Sequence, residues 1–385
     1  MSAKSSPAGA PARIRVAVLY GGRSGEHEIS LQSAASVLRN LDRERFEAIP
    51  IAIDKEGRWH PGELALIDQG ARSLPGFAEQ PAVLLPPNPR AGGSELVPYG
   101  AAPPRSMPLV DVVFPVMHGT LCEDGTIQGL LELADLPYVG CGVLASAVGM
   151  DKEVAKRLAQ AAGLPIVPYV VARRATWERE LTALATRIEQ TLGYPCFVKP
   201  ASCGSSVGVH KVKTAQALRP ALADAFRYDR KVLIEKAIDA REIEVAVLEN
   251  PDPAGPPLCS IPGEINPRHE FYSYAAKYLD ENGAELLIPA HLDAPQIATA
   301  QRLAAAAFTT LECEGMARCD FFLDRQTDEL YFNEVNTIPG FTSISMYPKM
   351  WEASGIPYQE LLTRLIELAL RRGDEKRTLI RDYKA

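Results

Sequence analysis

The clearest periodic pattern in the chain runs from Arg318 to Tyr347. Short stretches there alternate apolar and polar residues on either side of a polar turn, Arg325 to Glu329. Period-two alternation across such a turn predicts an antiparallel hairpin. With the five residues Arg325 to Glu329 as the loop, the expected cross-strand pairs are Phe322 with Phe332, Asp320 with Glu334, and Arg318 with Asn336. That register gathers two carboxylates, an amide and a guanidinium on one face with two aromatics. Like charges directly opposite each other destabilise a sheet, and a divalent cation between them removes the conflict. A hard ion such as Mg²⁺ takes carboxylate and amide oxygens and brings phosphates as its other ligands. A solvated strand face carrying unrelated acids is the alternative. Gly340, after Asn336 and Pro339, opens a loop rich in Thr and Ser whose donors suit an anion.

Near the start, Ile14 to Tyr20 (IRVAVLY) has the unbroken apolar character of a buried strand. It leads through GGRSGEHE into ISLQSAASVLRNL, where Ile29, Ala34, Val37, Leu38 and Leu41 recur at helical spacing. Strand, glycine turn and helix open an α/β unit, and helix N-termini at such turns favour anions. The loop has neither GxGxxG nor Walker A spacing, so both fingerprints are lacking. Glu26, His27 and Glu28 crowd its end. Acids there complement a helix dipole, or one of them faces the crevice at the strand's carboxyl end and holds a substrate ammonium. Residues 46–59 supply another strand and turn, and the Pro-, Gly- and Ala-rich stretch 64–105 reads as peripheral. Leu109 to Val116 (LVDVVFPV) is a further buried strand, and Thr126 to Ala134 resumes a helix. Between them His118 stands at a carboxyl end beside Gly119 and the pair Glu123–Asp124, as a structural histidine or one that faces substrate.

In the middle of the chain a helix from Ser146 to Ala162, with Lys152 near its start, precedes LPIVPY, a connector expected to mark a domain boundary. A helix around Trp177 to Thr191 follows. The strand Pro195 to Pro200 then carries Lys199 into ASCGSSVG, with two glycines and three serines, before a strand at Val207 to Val212. A glycine loop between strands with a lysine at its edge suits a flap closing over phosphates; a plain serine-rich hairpin is the alternative. Val232 to Ile238 and REIEVAVLE form neighbouring strands. Glu235 and Lys236 stand where a nucleotide base edge is read, and Glu242 suits a ribose hydroxyl.

Composition narrows the function classes. A chain of 385 residues makes two or three domains more natural than one. The net charge of −7 and the absence of any Lys/Arg stripe argue against nucleic acid, so anionic substrates need local charges and a metal. Seven scattered cysteines without a CxxC argue for reduced thiols and a cytoplasmic setting. The polar opening MSAKSSPAGAPARI has no apolar h-region after it, and no 18-residue apolar run occurs, so neither secretion nor membrane spanning is expected.

Together these segments resemble the ATP-grasp superfamily and, within it, the D-alanine–D-alanine ligases. The resemblance is carried by LYGGRSGEHEISL (19–31), MHGTLCEDGTIQGLLELADLPYVGCGVLASAVGMDK (117–152), FVKPASCGSSVGV (197–209), VLIEK (232–236), YAAKYL (274–279), GMARCDFFLD (315–324) and FNEVNTIPGFTSIS (332–345). It extends from about residue 14 to 370. The resemblance implies an α/β, three-domain ATP-grasp fold. An N-terminal parallel α/β substrate-binding domain (14–145) precedes central (146–245) and C-terminal (246–375) α+β domains that grip ATP. It implies ATP-dependent joining of two D-alanines through D-alanyl phosphate, releasing ADP and phosphate, for peptidoglycan precursors.

Residue by residue, Asp320, Glu334 and Asn336 look like the ligands of two Mg²⁺ ions, for which Mn²⁺ can substitute. Lys152 and Lys199 look like phosphate-binding lysines, and Ser206 belongs to the phosphate flap. Glu235, Lys236, Ile238 and Glu242 match adenosine-site positions. Glu26 resembles the residue that holds the first substrate's ammonium, linked through Ser205 to Tyr278, and His118 sits where that substrate's carboxylate is oriented. Arg318 and the amide of Gly340 look like an oxyanion hole. Lys277, Ser345 and Met346 line the γ-phosphate and second-substrate region. The SCGSSVG flap and the 268–283 loop are the expected lids. Tyr278 favours a dipeptide product over D-alanyl-D-lactate. The chain departs from the family pattern at Ser202–Cys203, at His27 and at Thr120 to Cys122; Cys203 and Cys122 near the site are expected to confer thiol sensitivity. Family analogy also implies a homodimer acting on small molecules, with no nucleic-acid or membrane partner.

Overall fold

The computed structural model describes residues 13–69, 73–75, 82–87, 94–98, 109–267 and 284–380. The first apolar run becomes the strand Ile14–Gly21, which pairs in parallel with Phe46–Ile53 on one side and Val112–Pro115 on the other. Short antiparallel strands at Trp59–Pro61, Val83–Leu84 and Val97–Pro98 extend one edge, so part of the stretch read as peripheral completes this six-stranded sheet. The helix His27–Asn40 lays Ala34, Val37 and Leu38 onto it, as the helical spacing requires. Parallel strands covered by helices leave their side chains to the core and their carboxyl ends to the ligand.

The second sheet has four antiparallel strands in the order His210–Val212, Cys196–Pro200, Lys231–Lys236, Tyr169–Arg173. The helices Trp177–Thr191 and Leu218–Ala225 pack on its inner face, where Ile188 and Leu222 meet Val198 and Ile234. Residues of opposite parity, Phe197 and Lys199, are thereby turned to the other face.

The third sheet is also antiparallel. Its order is Ala284–Leu287, Gly263–Pro267, Ala240–Leu248, Met316–Asp324, Leu330–Asn336, with Leu258–Cys259 against one end. The strand Ala240–Leu248 pairs along its whole length with Met316–Asp324, so residue 245 lies within this sheet. The helix Ala294–Thr310 covers one face, started by a capping box between Asp293 and Gln296 with Pro295 in its first turn. On the other side the helices Met346–Ala353 and Tyr358–Arg377 join this sheet to the N-terminal one in a continuous core. Among the described residues no helix is long and apolar enough to cross a membrane.

The predicted hairpin forms, and its register holds where the chemistry lies: Arg318 faces Asn336 and Asp320 faces Glu334. Beyond that point a bulge between Asp320 and Phe321 pairs Phe321, and not Phe322, with Phe332. The extra residue is Asn333. It re-phases the strand so that Phe321 and Phe332 share the core face, their ring centroids 6.0 Å apart at 69°. Phe322 is left on the cavity side. The single helix predicted from Ser146 to Ala162 is also corrected. It is two helices, Val143–Met150 and Lys152–Ala161, separated at Asp151, which is extended and accepts from the Glu153 and Val154 amides as an N-cap.

Candidate active site

A cavity of about 580 Å³ opens between the second and third sheets. Strand alternation sets its walls. Phe197 and Lys199 enter from one sheet; Glu242 and Glu244, then Asp320 and Phe322, enter from adjacent strands of the other. Lys236, Ile238 and Ser206 complete the lining expected of the nucleotide positions.

The innermost wall is built on charge. Glu235 is 1% exposed. One of its oxygens stands 2.7 Å from Lys156 Nζ, and the other accepts from Lys199. Burial by itself raises a carboxyl's pKa, but the two ammonium groups outweigh it and hold Glu235 below the usual carboxylate range. Lys199 Nζ also stands 5.6 Å over the Phe322 ring. Lys152, freed by the helix break at Asp151, donates to the Cys203 carbonyl at 2.8 Å and pairs with Glu334 at 3.1 Å. Burial works to lower the Lys152 ammonium, yet Glu334 prevails and keeps it above the ordinary lysine value.

Asp320 receives two parallel bonds from Arg318, from Nε and Nη2 at 2.7 Å each, and one from Asn336 Nδ2 at 2.9 Å. Glu244 stands 3.1 Å from Arg318 Nε. Register aligns Glu244, Asp320 and Glu334 across three adjacent strands. Three in-register acids with an amide are a hard-oxygen donor set, and the buried Asn333 Oδ1 in the same wall has no hydrogen-bond partner. The residues present therefore fit a divalent cation held by Asp320, Glu334 and Asn336. Among the described residues no group of three His, Cys, Asp or Glu is arranged as a metal centre, so such a cation draws on the amide as well.

The flap closes onto the N-terminal sheet. Ser205 and Ser206 hold φ of 50° and 57°, an uncommon left-handed conformation for serine. Ser205 Oγ donates to Glu26 Oε1. Glu26 is the N-cap residue of the helix His27–Asn40 without a side-chain capping bond, and Glu28 is the acid in its first turn, where it suits the dipole. A Cβ on Gly119, at φ 77°, would lie 2.6 Å from Glu26 Oε2; the loop after Val112–Pro115 needs glycine there to let the carboxylate in. Glu28 instead pairs with Lys55, and His27 bonds the Gly22 carbonyl.

His118 is buried, its Nε2 3.1 Å from Ser33 Oγ and its Nδ1 3.1 Å from the Ile338 carbonyl. Burial lowers its pKa and so favours the neutral ring, although the nearby Glu26 carboxylate acts to raise it. Glu123 accepts from the Gly119 amide at 3.0 Å. Burial first, then Glu26, push its carboxyl well above the usual range. Ser345 Oγ accepts from the Thr342 amide at 2.9 Å, and a Cβ on Gly340 would lie 2.7 Å from that oxygen.

The structure thus brings Lys152, Lys199, Ser206, Glu235, Lys236, Ile238, Glu242, Asp320 and Glu334 to one cavity, with Asn336 bonded to Asp320. Glu26 is bonded to Ser205 of the flap, His118 meets Ser33 and the Ile338 carbonyl, and Ser345 holds the Thr342 amide in the loop that carries Gly340. Met346 is not brought in by its side chain, which is 5% exposed in the core. Lys277 and Tyr278 fall within 268–283, outside the described residues. Of the two cysteines expected near the site, Cys122 is fully buried, whereas Cys203 is half-buried in the cavity lining; burial pushes both thiols up. Sequence reasoning passed over Lys156, Glu244 and Asn333. The first two carry a period signal: Lys156 follows Lys152 by one helical turn, and Glu244 follows Glu242 by one strand repeat. Asn333 carries none, because only the bulge turns it inward.

Comparison with known proteins matches this geometry to one family. The model described as "D-ala D-ala ligase N-terminus" matches residues 15–141, and "D-ala D-ala ligase C-terminus" matches 158–367. The D-alanine–D-alanine ligase A of Bradyrhizobium diazoefficiens is 59% identical over 377 residues, covering 96% of this chain and 99% of that one. The D-alanine–D-alanine ligase of Heliobacterium modesticaldum is 50% identical, covering 94% and 96%. Among solved structures, the D-alanine–D-alanine ligase from Coxiella burnetii superposes with a TM-score of 0.77 at 37% identity, covering 96% of this chain and 97% of that one. A D-Ala:D-Ser ligase from Enterococcus faecalis gives 0.79 at 35%, covering 93% and 100%. Sheet, flap and acid hairpin together have the ATP-grasp arrangement of those neighbours, and the chain belongs to the D-alanine–D-alanine ligase family.

Proposed function

We propose that the protein joins two D-alanines into D-alanyl-D-alanine for peptidoglycan precursors, with ATP converted to ADP and phosphate. The observation that carries this reading is the cavity itself. Lys152 and Lys199 stand on one side, Asp320 and Glu334 on the other, and the serine flap is latched over it to Glu26. A carboxylate is a poor electrophile. Activation of the first D-alanine as D-alanyl phosphate gives the second amine a carbonyl it can attack, with phosphate as leaving group.

Glu26 is suited to hold the first substrate's ammonium, and the neutral His118 ring to orient its carboxylate. Arg318 and the Gly340 amide are assigned to stabilise charge developing on the carbonyl oxygen. Lys152, Lys199 and Ser206 neutralise and bind phosphates. Glu235, Lys236, Ile238 and Glu242 receive the adenosine. Bound by Asp320, Glu334 and Asn336, Mg²⁺ or Mn²⁺ supplies charge neutralisation on the terminal phosphates. Lys277 and Tyr278 are assigned to the second-substrate side with Ser345, and the core-packed Met346 contributes there at most through its backbone. The latch of Ser205 to Glu26 excludes water, which otherwise hydrolyses an acyl phosphate. We further propose three functional units, 14–145, 146–245 and 246–375, with the strand Ala240–Leu248 of the third sheet running across the second boundary, a homodimer and a cytoplasmic setting, all by family analogy.

The test is phosphate release with ATP and Mg²⁺, comparing D-alanine alone with D-alanine plus D-lactate or D-serine, and product identification by mass. D-alanyl-D-alanine is the expected main product throughout. A dominant ester or D-alanyl-D-serine product overturns the nucleophile assignment, and no D-alanine-dependent phosphate release overturns the ligase reading.

A further inference from the structure

The helix Lys152–Ala161 turns two lysines inward, one helical turn apart. Lys152 reaches the flap and Glu334. Lys156 reaches no cavity surface: it is 0% exposed, among the largest fully buried side chains of the molecule. Its ammonium lies 2.7 Å from Glu235 and donates to the Phe332 carbonyl at 3.2 Å. Three charges therefore alternate through the interior, Lys156 positive, Glu235 negative and Lys199 positive. The Phe332 bond fastens the group to the acid hairpin, whose strand is also tied to the chain through Phe332 N and the Pro165 carbonyl at 2.8 Å.

A lysine that must neutralise phosphates cannot also stay on Glu235. Removing the sole partner from a buried carboxylate strands a charge in low dielectric, which is strongly unfavourable. A second, permanent partner lifts that penalty. We propose that Lys156 is a positioning residue for the nucleotide: the resident counter-ion of Glu235, which lets Lys199 leave Glu235 for the phosphates and frees a Glu235 oxygen to accept from the adenine amino group. Guanine presents a carbonyl oxygen where adenine presents that amine, so an ionised Glu235 disfavours it. Without Lys156, burial draws Glu235 toward its neutral form, which donates as well as accepts and loses this discrimination.

The proposal rests on the nucleotide reading of the cavity, and calorimetric titration with ATP and with GTP in the presence of Mg²⁺ separates the two. Failure of the wild-type protein to bind ATP sinks the nucleotide reading. With wild-type binding established, K156M is expected to bind ATP about tenfold or more weakly. Its preference for ATP over GTP is expected to shrink, and KM for ATP to change more than kcat. A merely structural role does not move the ATP-to-GTP ratio. K156M with wild-type affinity and ratio overturns the proposal. The double variant K156M/E235Q removes both charges at similar volume, so Lys199 is no longer captured and ATP affinity recovers relative to K156M. If K156M does not fold, the double variant decides alone. Retained ATP binding with a narrowed ATP-to-GTP ratio supports the proposal, whereas loss of nucleotide binding in a folded double variant, checked by circular dichroism and thermal melting, overturns it.

Discussion

Glu334 and Glu123 are both acids near the flap, and their surroundings set them to opposite tasks. Glu334 is half-buried and already paired with Lys152, so its charge is part of the cavity wall. Glu334→Gln keeps the volume and removes that charge. We expect a melting temperature near wild type and a fall of about a hundredfold in phosphate release, and near-normal turnover would count against the cation assignment. Glu123 is buried, 9% exposed, with its carboxyl pushed up by burial and by Glu26. An acid whose folded pKa is raised binds more protons folded than unfolded above the ordinary carboxylate value. Stability from it is therefore full at low pH and lost as pH rises from about 4.5 toward the folded pKa. Glu123→Gln mimics the protonated acid and keeps an acceptor for the Gly119 amide. Melting curves of the ligand-free proteins should show the variant gaining on wild type as pH increases, and parallel pH profiles would refute the assignment.

At the scale of elements, the flap and the acid hairpin use opposite devices. The hairpin is anchored by packing: a bulge at Asn333 sends Phe321 and Phe332 into the core while keeping Asp320 and Glu334 on the cavity side. The flap Ala201–Val209 has little apolar anchorage and is held by a latch, Ser205 to Glu26, and by the bond from Lys152 to the Cys203 carbonyl. Two consecutive serines at positive φ are maintained by those bonds, since the backbone alone disfavours them. Ser205→Ala removes the latch and leaves the strands on either side untouched. The expected result is a loss of about tenfold in dipeptide formation, with more phosphate released per dipeptide as water reaches the intermediate. A constant ratio of phosphate to dipeptide would show that the latch does not exclude water.

At the scale of the molecule, the site exists only because the N-terminal sheet is docked on the C-terminal unit. The helix Tyr358–Arg377 does much of this. Arg372 donates to the Tyr138 carbonyl at 2.7 Å and the Gly140 carbonyl at 2.8 Å, and its guanidinium lies 5.0 Å over the Tyr138 ring. Tyr358 bonds the Phe341 carbonyl at 2.8 Å and meets Ser36 at 3.2 Å, beside the loop that carries Gly340. Arg372→Leu leaves two buried carbonyls without donors. A loss of about 3 kcal/mol is expected, read as a lower melting temperature, together with weaker D-alanine binding because Glu26 and His118 shift relative to Arg318. Unchanged melting would mean that the docking rests on the apolar core alone.

Much of this was already present in the order of residues. Alternation placed the acid hairpin and paired Asp320 with Glu334; helical spacing placed Ile14–Gly21 under the helix His27–Asn40; and the segments around Glu26, His118, Lys199 and Glu334 carried the family resemblance. These are local properties, set by period and by neighbours a few positions away. The bulge that re-paired Phe332, the burial of Met346 and the partners of Lys156 were not legible, because each is decided by what packs against it from a distant part of the chain; the break at Asp151 did carry a local sign, an acid capping the amides of Glu153 and Val154. Lys156 and Glu235 are 79 positions apart, and nothing in their local sequence states that one neutralises the other. Sequence determined which side chains each element presents; tertiary packing decided which presented charges meet, since electrostatic energy depends on separation in space and on exclusion of water.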